Sequence, residues 1–423
     1  MAAALVLVAA AARAEDRAQR YESKLVRTIT WRGGPISIDH RFGSVSVIGS
    51  SDDHILVRST IRSSEPDLAK KIAVVVTEEG NGVAIRTEFP EGKIKGSKHF
   101  SFSIDYRIDV PERALLKVEN RFGSIDVTGM KGKSELINSQ GSISVRDVDG
   151  PVVATNQFGS ISISSADGGA ILRNQNGSIQ ARDVDGRIDI TNRFGSINLA
   201  TIGGNATVRN TNGSVDIRDV NGDLDVTNAF ADLTVTSIDG SVRATGTNGR
   251  MELRDIRGNV TVTHAYGDVE LTSVGGSVSV SGQNVSVEGH DIRHNATITS
   301  TYGGVKLNDV GGNVSVRASF SPVFIEELGG SVDVQNQNAS IVVGGLTGTR
   351  CQNIVLRSNQ SSIKVRLPEG ASYKVTARTA MGRITSRVPI RTSVSTEESL
   401  TGVIGGGKCT LDLVNANGSI TIE

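Results

Sequence analysis

An 18-residue period runs through more than half of this 423-residue chain. It begins at Gly123, and most of thirteen successive units start with glycine. Two positions after each start the residue is always apolar, from Ile125 through to Ile341. Within a unit, apolar and polar residues alternate, as in Ile188-x-Ile190, which is the period of a β-strand. Because a single unit cannot bury its own apolar face, the units are expected to stack on one another.

The period predicts an all-β fold, a single-stranded parallel β-solenoid (β-helix) with 18-residue rungs, capped at both ends. A second period of 36 leaves a longer coil open, because Phe158 and Phe194 alternate with Asn176 at one position. In a 36-residue coil Arg146 and Arg182 would stack about 4.8 Å apart, where like charges repel. In an 18-residue coil they are about 9.6 Å apart and screened. We therefore favour 18 residues over 36.

The flanking segments differ from the repeat and predict four regions. Residues 1–12 are an apolar run that ends in the small-x-small pattern Ala12-Arg13-Ala14, typical of an export signal. We therefore expect an exported protein, periplasmic or at the cell surface or secreted, with no transmembrane span in the mature chain. The predicted regions are a signal peptide (1–14), an N-terminal β cap (15–118), the regular solenoid (119–348), and irregular C-terminal rungs with a cap (349–423). The N-terminal cap is expected to contain a short helix near 65–71 and an insertion with a Lys/Gly-rich loop at 92–98.

Composition excludes several functions. Lys and Arg total 45 and equal Asp and Glu, so no basic surface for nucleic acid is expected. The two cysteines, Cys351 and Cys409, are too few for a disulfide framework and match no metal motif. They form one bridge or stay free thiols. No cofactor and no metal are expected.

One polar column is predicted to be structural. Asparagine stands at the same position in seven successive units, where stacked amides can bond to each other and to the turn backbone. This asparagine ladder consists of Asn120, Asn138, Asn156, Asn174, Asn192, Asn210 and Asn228.

A second polar column is the candidate surface-contact corner. An Arg-Asp pair occupies one corner in every second unit, and we expect each arginine to supply a counter-charge to its aspartate. The corner consists of Arg146, Asp147, Arg182, Asp183, Arg218, Asp219, Arg254 and Asp255. His290, Asp291 and His294 are the one local break in these corners, and three weak ligands do not make a metal site.

The resemblance to a known family rests on three motifs. These are Tyr106-Arg107-Ile108-Asp109-Val110-Pro111, the run of G-S-I-x-V units, and the final Asn417-Gly418-Ser419-Ile420. Over residues 35–423 the chain resembles the bacterial putative-adhesin domain of exported β-solenoid proteins. That resemblance implies a solenoid, export and no catalytic residues.

The functional expectation is a non-enzymatic exported scaffold or adhesion-type protein. Its long repetitive polar faces would contact a cell-envelope or surface component, protein or glycan. The alternative is a carbohydrate-active β-helix enzyme, a polysaccharide lyase or glycoside hydrolase. Acids here recur along the stack instead of clustering at one place, which favours the scaffold. A third alternative is a self-polymerising solenoid, which the predicted signal peptide and caps disfavour.

Overall fold

The structure, a computed structural model, describes residues 21–89, 101–347 and 351–423. The predicted signal peptide at 1–14 and the Lys/Gly-rich loop at 92–98 lie outside the described residues.

The N-terminal part is built of strands with a single turn of helix, α1 (Pro66–Ala69), within the predicted helical segment. Antiparallel pairing joins the first strand to the fourth, the fourth to the seventh and the fifth to the sixth. The strands are β1 (Tyr21–Thr30), β2 (Ile36–Asp39), β3 (Val45–Ser50), β4 (His54–Ser63), β5 (Ala73–Glu79), β6 (Gly82–Glu88) and β7 (Phe102–Pro111).

In the repeat, each unit contributes one strand to each of two parallel rows. Row 1 holds the strands that lead into the repeat glycine, and row 2 holds those that follow it. The strands are β8 (Leu116–Phe122), β9 (Ile125–Thr128), β10 (Ser134–Gln140), β11 (Ile143–Val148), β12 (Val152–Phe158), β13 (Ile161–Ala166), β14 (Ala170–Asn176), β15 (Ile179–Val184), β16 (Ile188–Phe194), β17 (Ile197–Ile202), β18 (Ala206–Asn212), β19 (Val215–Val220), β20 (Leu224–Phe230), β21 (Leu233–Ile238), β22 (Val242–Asn248), β23 (Met251–Ile256), β24 (Val260–Val274), β25 (Val278–Ile292), β26 (Ala296–Ser300), β27 (Val305–Val310), β28 (Val314–Ala318), β29 (Val323–Leu328), β30 (Val332–Asn336) and β31 (Ile341–Val343). The long strands β24 and β25 continue through the corner and belong to both rows.

The C-terminal part continues both rows. Its strands are β32 (Ile354–Gln360), β33 (Ile363–Val365), β34 (Tyr373–Met381), β35 (Ile384–Ser386), β36 (Arg391–Ser395), β37 (Ser399–Ile404), β38 (Cys409–Asn417) and β39 (Ile420–Ile422). Here the rung is longer than 18 residues, because Ile341 pairs with Ile363 and not with the residue 18 positions later.

Strand register confirms the 18-residue rung. Ile197 pairs with Val215 in row 2, and Ile188 pairs with Ala206 in row 1. The rung of Gly195 therefore lies against the rung of Gly213, and the 36-residue coil is wrong. The result is a parallel β-solenoid of about 14 turns.

One continuous core fills the space between the two rows. The inward positions of both strands are fully buried, as Ile188, Ile190 and Ile197 illustrate at 0% exposure. A third buried column, which includes Val184 and Ile202, closes the corner after row 2. The apolar columns that define the period are therefore the core.

At both ends a rung of the chain is interleaved between two others. The first rung, β2 with β3, lies between β6–β7 on one side and β8–β9 on the other. The last rung, β38 with β39, lies between β32–β33 and β34–β35. Antiparallel strands then cover the outer edges: β5 on β6, β4 on β7, and β37 on β34. This pairing satisfies backbone N–H and C=O groups of the edge strands, which could otherwise pair with another chain and lead to aggregation.

A disulfide joins Cys351 to Cys409, with Cα atoms 5.4 Å apart. It ties the segment before β32 to the start of β38, so it anchors the interleaved last rung to the rung that precedes it.

Candidate functional surfaces

The Arg-Asp corner lies at the end of row 2, with its arginines on the outer face. Arg146 pairs with Ser164 and Arg182 with Ala200, so two arginines are separated by one uncharged rung. All four arginines and all four aspartates are exposed. The corner residues are Arg146, Asp147, Arg182, Asp183, Arg218, Asp219, Arg254 and Asp255.

Backbone conformation explains the aspartates. Asp147 has φ 52° and Asp183 φ 54°, in the left-handed region, and the same is true of Ser165 and Thr201 in the alternate rungs. The pairing register skips this residue in both neighbouring rungs, so the left-handed residue interrupts the ladder and turns the chain into the corner. Aspartate tolerates this conformation better than most residues because its short polar side chain can bond to the nearby backbone, so the column follows from a backbone requirement.

One sequence expectation about this corner is wrong. The expected counter-charge is absent: no arginine of the corner forms an ion pair with its neighbouring aspartate in the described ranges. Arg218 instead pairs with Asp216 (2.9 Å). The corner glycine has a separate role, because a Cβ on Gly150 would overlap the backbone of Gly132 in the adjacent rung.

Ion pairing differs along the arginine column. Arg254 pairs with Glu252 (2.6 Å) and Glu270 (3.2 Å). In the described part of the chain, Arg146 and Arg182 have no ion-pair partner within 4 Å. Their guanidinium groups are exposed, and the exposed carboxylates of Asp147 and Asp183 stand next to them in the chain.

A shallow groove of about 540 Å³ follows the same corner in the second half of the repeat. Its lining includes Asp239, Asp255, Asp291, Arg257 and Arg293. Arg257 pairs with Asp239 at 2.8 Å, so part of the charge is already satisfied. The groove repeats the corner chemistry of each rung and gathers no distinct catalytic set.

The break at His290, Asp291 and His294 does not converge. The ring of His290 contacts Asn308, and that of His294 contacts the carbonyl of Gly275 at 2.8 Å. Within 21–89, 101–347 and 351–423, no group of three His, Cys, Asp or Glu side chains is placed to hold a metal ion.

The asparagine column is buried at the corner between the two rows. Asn192 Nδ2 donates to the carbonyls of Gly177 and Gly195, both at 3.1 Å. Asn138 donates in the same way to Gly123 O at 3.0 Å. Each amide therefore bonds to turn carbonyls of its own rung or the adjacent one. The expected amide-to-amide bonds do not form among the described residues, where the Oδ1 atoms from Asn138 to Asn228 lack a partner.

His264 replaces asparagine further along this column. Its Nε2 lies 2.9 Å from Gly249 O, so the imidazole contacts the carbonyl that an amide would otherwise reach. The larger ring fits because its two neighbours in the column are Gly246 and Gly282. A Cβ on Gly246 would lie 2.9 Å from the imidazole Nδ1.

Sequence reasoning missed a second polar ladder, one residue after the glycine column. Asn259 Oδ1 accepts the backbone N–H of Ser277 (2.8 Å), and Asn313 Oδ1 accepts that of Ser331 (2.8 Å). These exposed side chains link consecutive rungs. The signal was the recurrence of Asn, Asp or Ser immediately after the corner glycine from Gly204 onwards, as at Asp223 and Ser241.

An exposed line of aromatic side chains is the second feature that sequence reasoning left unassigned. These residues stand immediately before the repeat glycine, mostly in every second rung, and are between 40% and 57% exposed. We call them the aromatic row: Phe122, Phe158, Phe194, Phe230, Tyr266, Tyr302 and Phe320.

A buried polar cluster stabilises the N-terminal end. His40 Nδ1 lies 2.9 Å from Thr87 Oγ1, which lies 2.6 Å from the Tyr106 hydroxyl. Burial lowers the pKa of His40 and raises the pKa of Tyr106 to about 12. Both groups are therefore neutral near pH 7, which suits a structural network.

No helix in the described residues is long and apolar enough to cross a membrane.

Comparison with known proteins gives a family match for the C-terminal part of the chain. Residues 247–423 match the family described as Toastrack DUF4097. No curated protein matches the chain.

Three solved structures are similar at low identity. A putative cell adhesion protein from Clostridium sporogenes is 9% identical, with 95% of this chain and 99% of that chain covered and a TM-score of 0.18. A putative adhesin from Bacteroides fragilis is 12% identical over 63% and 97%, with a TM-score of 0.22. A putative adhesin from Parabacteroides merdae is 11% identical over 80% and 95%, with a TM-score of 0.16.

Proposed function

We propose that the chain is an exported, non-enzymatic scaffold of the adhesion type, and the match of residues 247–423 to the family described as Toastrack DUF4097 supports this proposal. Its ligand is a component of the cell envelope or surface, and the contact is made by the outer face of row 2 at the Arg-Asp corner.

The observation that carries this proposal is the repetition of one exposed cation along the stack. Arg146 and Arg182 are about 9.6 Å apart, exposed and without an ion-pair partner in the described ranges. Repeated identical contacts make weak individual interactions add up when the ligand is itself a repeating anionic surface. A long column of this kind suits adhesion better than the recognition of one small substrate.

Export is supported by the disulfide and by the apolar N-terminus. The bond between Cys351 and Cys409 is of a kind that persists in oxidising compartments and is rare in the cytosol. The apolar run at residues 1–12 has the length and ending of a cleaved signal.

Retention on purified cell-envelope material tests the contact. Reversal of the four corner arginines to glutamate should abolish retention, and the loss should be strongest at low salt because the contact is ionic. A matched control reverses exposed arginines on the outer face of row 1, which should retain binding. The control residues are Arg173, Arg209 and Arg243.

Equal loss in both variants would place the contact elsewhere or reduce it to net charge. A panel of polysaccharides should show no hydrolase or lyase turnover. Measurable cleavage that Asp183→Asn or Asp219→Asn abolishes would overturn the scaffold in favour of an enzyme.

A further inference from the structure

In the aromatic row, rings alternate with short polar side chains from one rung to the next. Phe158 pairs in register with Asn176, and Asn176 with Phe194, so a short polar side chain separates two rings. Rings two rungs apart are about 9.6 Å apart. The spaces between them, which we call slots, have Gln140, Asn176, Asn212, Asn248 and Asn284 as their floors.

The structure shows what such a slot accepts. Where consecutive rungs both carry aromatics, the rings stack: Tyr302 on Phe320 with centroids 4.8 Å apart and planes at 8°, and Phe42 on Phe122 at 5.1 Å and 5°. A ring inserted midway between two rings of the row would lie about 4.8 Å from each. Each slot therefore has the width of one aromatic ring.

We propose that the aromatic row is a homodimer interface in which the rings of a second copy insert into these slots. A second copy presents rings at the required two-rung period, and a two-fold axis across the row reverses the row while preserving the period. A partner of identical sequence can therefore insert rings into several slots at once.

The exposed area suits such an interface. Seven rings, each exposing roughly half of about 200 Å², present about 700 Å² per copy. A stable interface of standard size buries about 800 Å² per partner. The slot floors supply the remaining area, and isolated monomers rarely expose apolar rows of this extent.

The flanks of the row carry few charges. In the first half of the repeat, the charged residues in the two columns that flank the row are Arg121, Arg193 and Asp232. The guanidinium of Arg193 lies over the ring of Phe194, 5.2 Å from the ring centroid. The other flanking residues include Ser139, Gln157, Gln175, Thr211 and Ala229 on one side and Ser142, Ser160, Ser178, Ser196 and Ser214 on the other. Charge of one sign therefore does not accumulate along the row.

Ring orientation favours this occupant over a glycan. In both stacked pairs the two ring planes are nearly parallel and the faces point along the stack, and the proposal takes the same orientation for the rings that border the slots. A sugar stacks on an outward-facing ring, whereas a slot between parallel rings accepts another flat ring.

Sedimentation velocity of the mature protein over a concentration series tests the proposal. The wild type should dimerise, and Phe158→Ser, Phe194→Ser and Phe230→Ser together should raise the dissociation constant at least about a hundredfold. The control pair, Ile171→Ser and Val414→Ser, removes apolar residues that are each 37% exposed outside the row and should leave the dimer intact.

A second variant separates slot insertion from simple apolar attraction. Asn176→Phe with Asn212→Phe fills two slots within the chain, as Phe320 does beside Tyr302, and increases the aromatic surface. Insertion predicts a weaker dimer, whereas a flat apolar patch predicts a stronger one. Circular dichroism establishes that each variant is folded before it is compared.

A monomeric wild type at all concentrations, or a slot-filled variant that dimerises as tightly as wild type, would overturn the proposal. Monomeric wild type that loses glycan retention in the serine variant would also overturn it and assign the row to a glycan. Charge reversal of the corner arginines should leave the dimer unchanged, so failure of the proposed function and failure of this interface are distinguishable.

Discussion

Asn192 provides the sharpest test of what holds the rungs together. Replacement by alanine removes two hydrogen bonds from Nδ2 to turn carbonyls, each worth about 1 kcal/mol net. Gly177 O keeps a donor in Asn174 and Gly195 O keeps one in Asn210, so neither carbonyl is left alone. Loss of the unpartnered Oδ1 offsets part of the cost. We expect a local destabilisation of about 1 to 2 kcal/mol.

Replacement by aspartate should cost considerably more, because a carboxylate oxygen then faces two carbonyl oxygens in a buried site without a counter-charge. Burial would raise the pKa of this carboxyl above its unfolded value near 3.9, so the folded state favours the protonated acid. The variant should therefore regain stability as the pH falls from 7 towards 4, and the alanine variant should not.

Native-state hydrogen exchange measures these effects rung by rung, which suits a repeat array that does not unfold in two states. The matched control is Asn198→Ala, at an exposed position in β17, the strand that follows the same corner. This substitution should change the local exchange rates little. Equal effects of alanine and aspartate at position 192, or no local change in either, would refute the view that donation to the turn carbonyls stabilises the corner.

Three further predictions concern other parts of the chain. Ile197→Asp should cost several kcal/mol because it buries an unpaired carboxylate, and exchange should accelerate over a few rungs only; whole-chain opening would contradict nearest-neighbour stacking. Tyr106, whose pKa is raised to about 12, stabilises the N-terminal end below its unfolded pKa near 10, and this contribution, about 3 kcal/mol, is lost as the pH rises from 10 to 12. Tyr106→Phe should remove that loss in alkaline melting curves, and an unchanged slope would contradict it. Cys351→Ser with Cys409→Ser should lower C-terminal stability by about 2 to 4 kcal/mol. Hydrogen exchange should become faster in β38 and β39 and stay unchanged in the first rungs.

Sequence reasoning succeeded where a residue has one physical task. The core column around Ile197 cannot slip by one position without exposing every apolar side chain, so the 18-residue rung was predictable. It failed where one residue type serves two tasks. Asp183 looked like half of an ion pair because aspartate is charged, yet its position is set by a left-handed backbone. Slots in the aromatic row were likewise hidden, because only three-dimensional stacking shows the direction of the ring faces.

The interleaved terminal rungs have a mechanical consequence. In a simple stack the last coil is held on one side, so tension on a chain end would peel coils away one at a time. Here β39 is paired with β33 on one side and β35 on the other, and tension on Glu423 must shear both ladders together. At the other end β2 is likewise held between β6 and β8, but β1, which precedes it, pairs with β4 alone. Tension from the C-terminal side therefore meets more resistance to unravelling than tension from the N-terminal side.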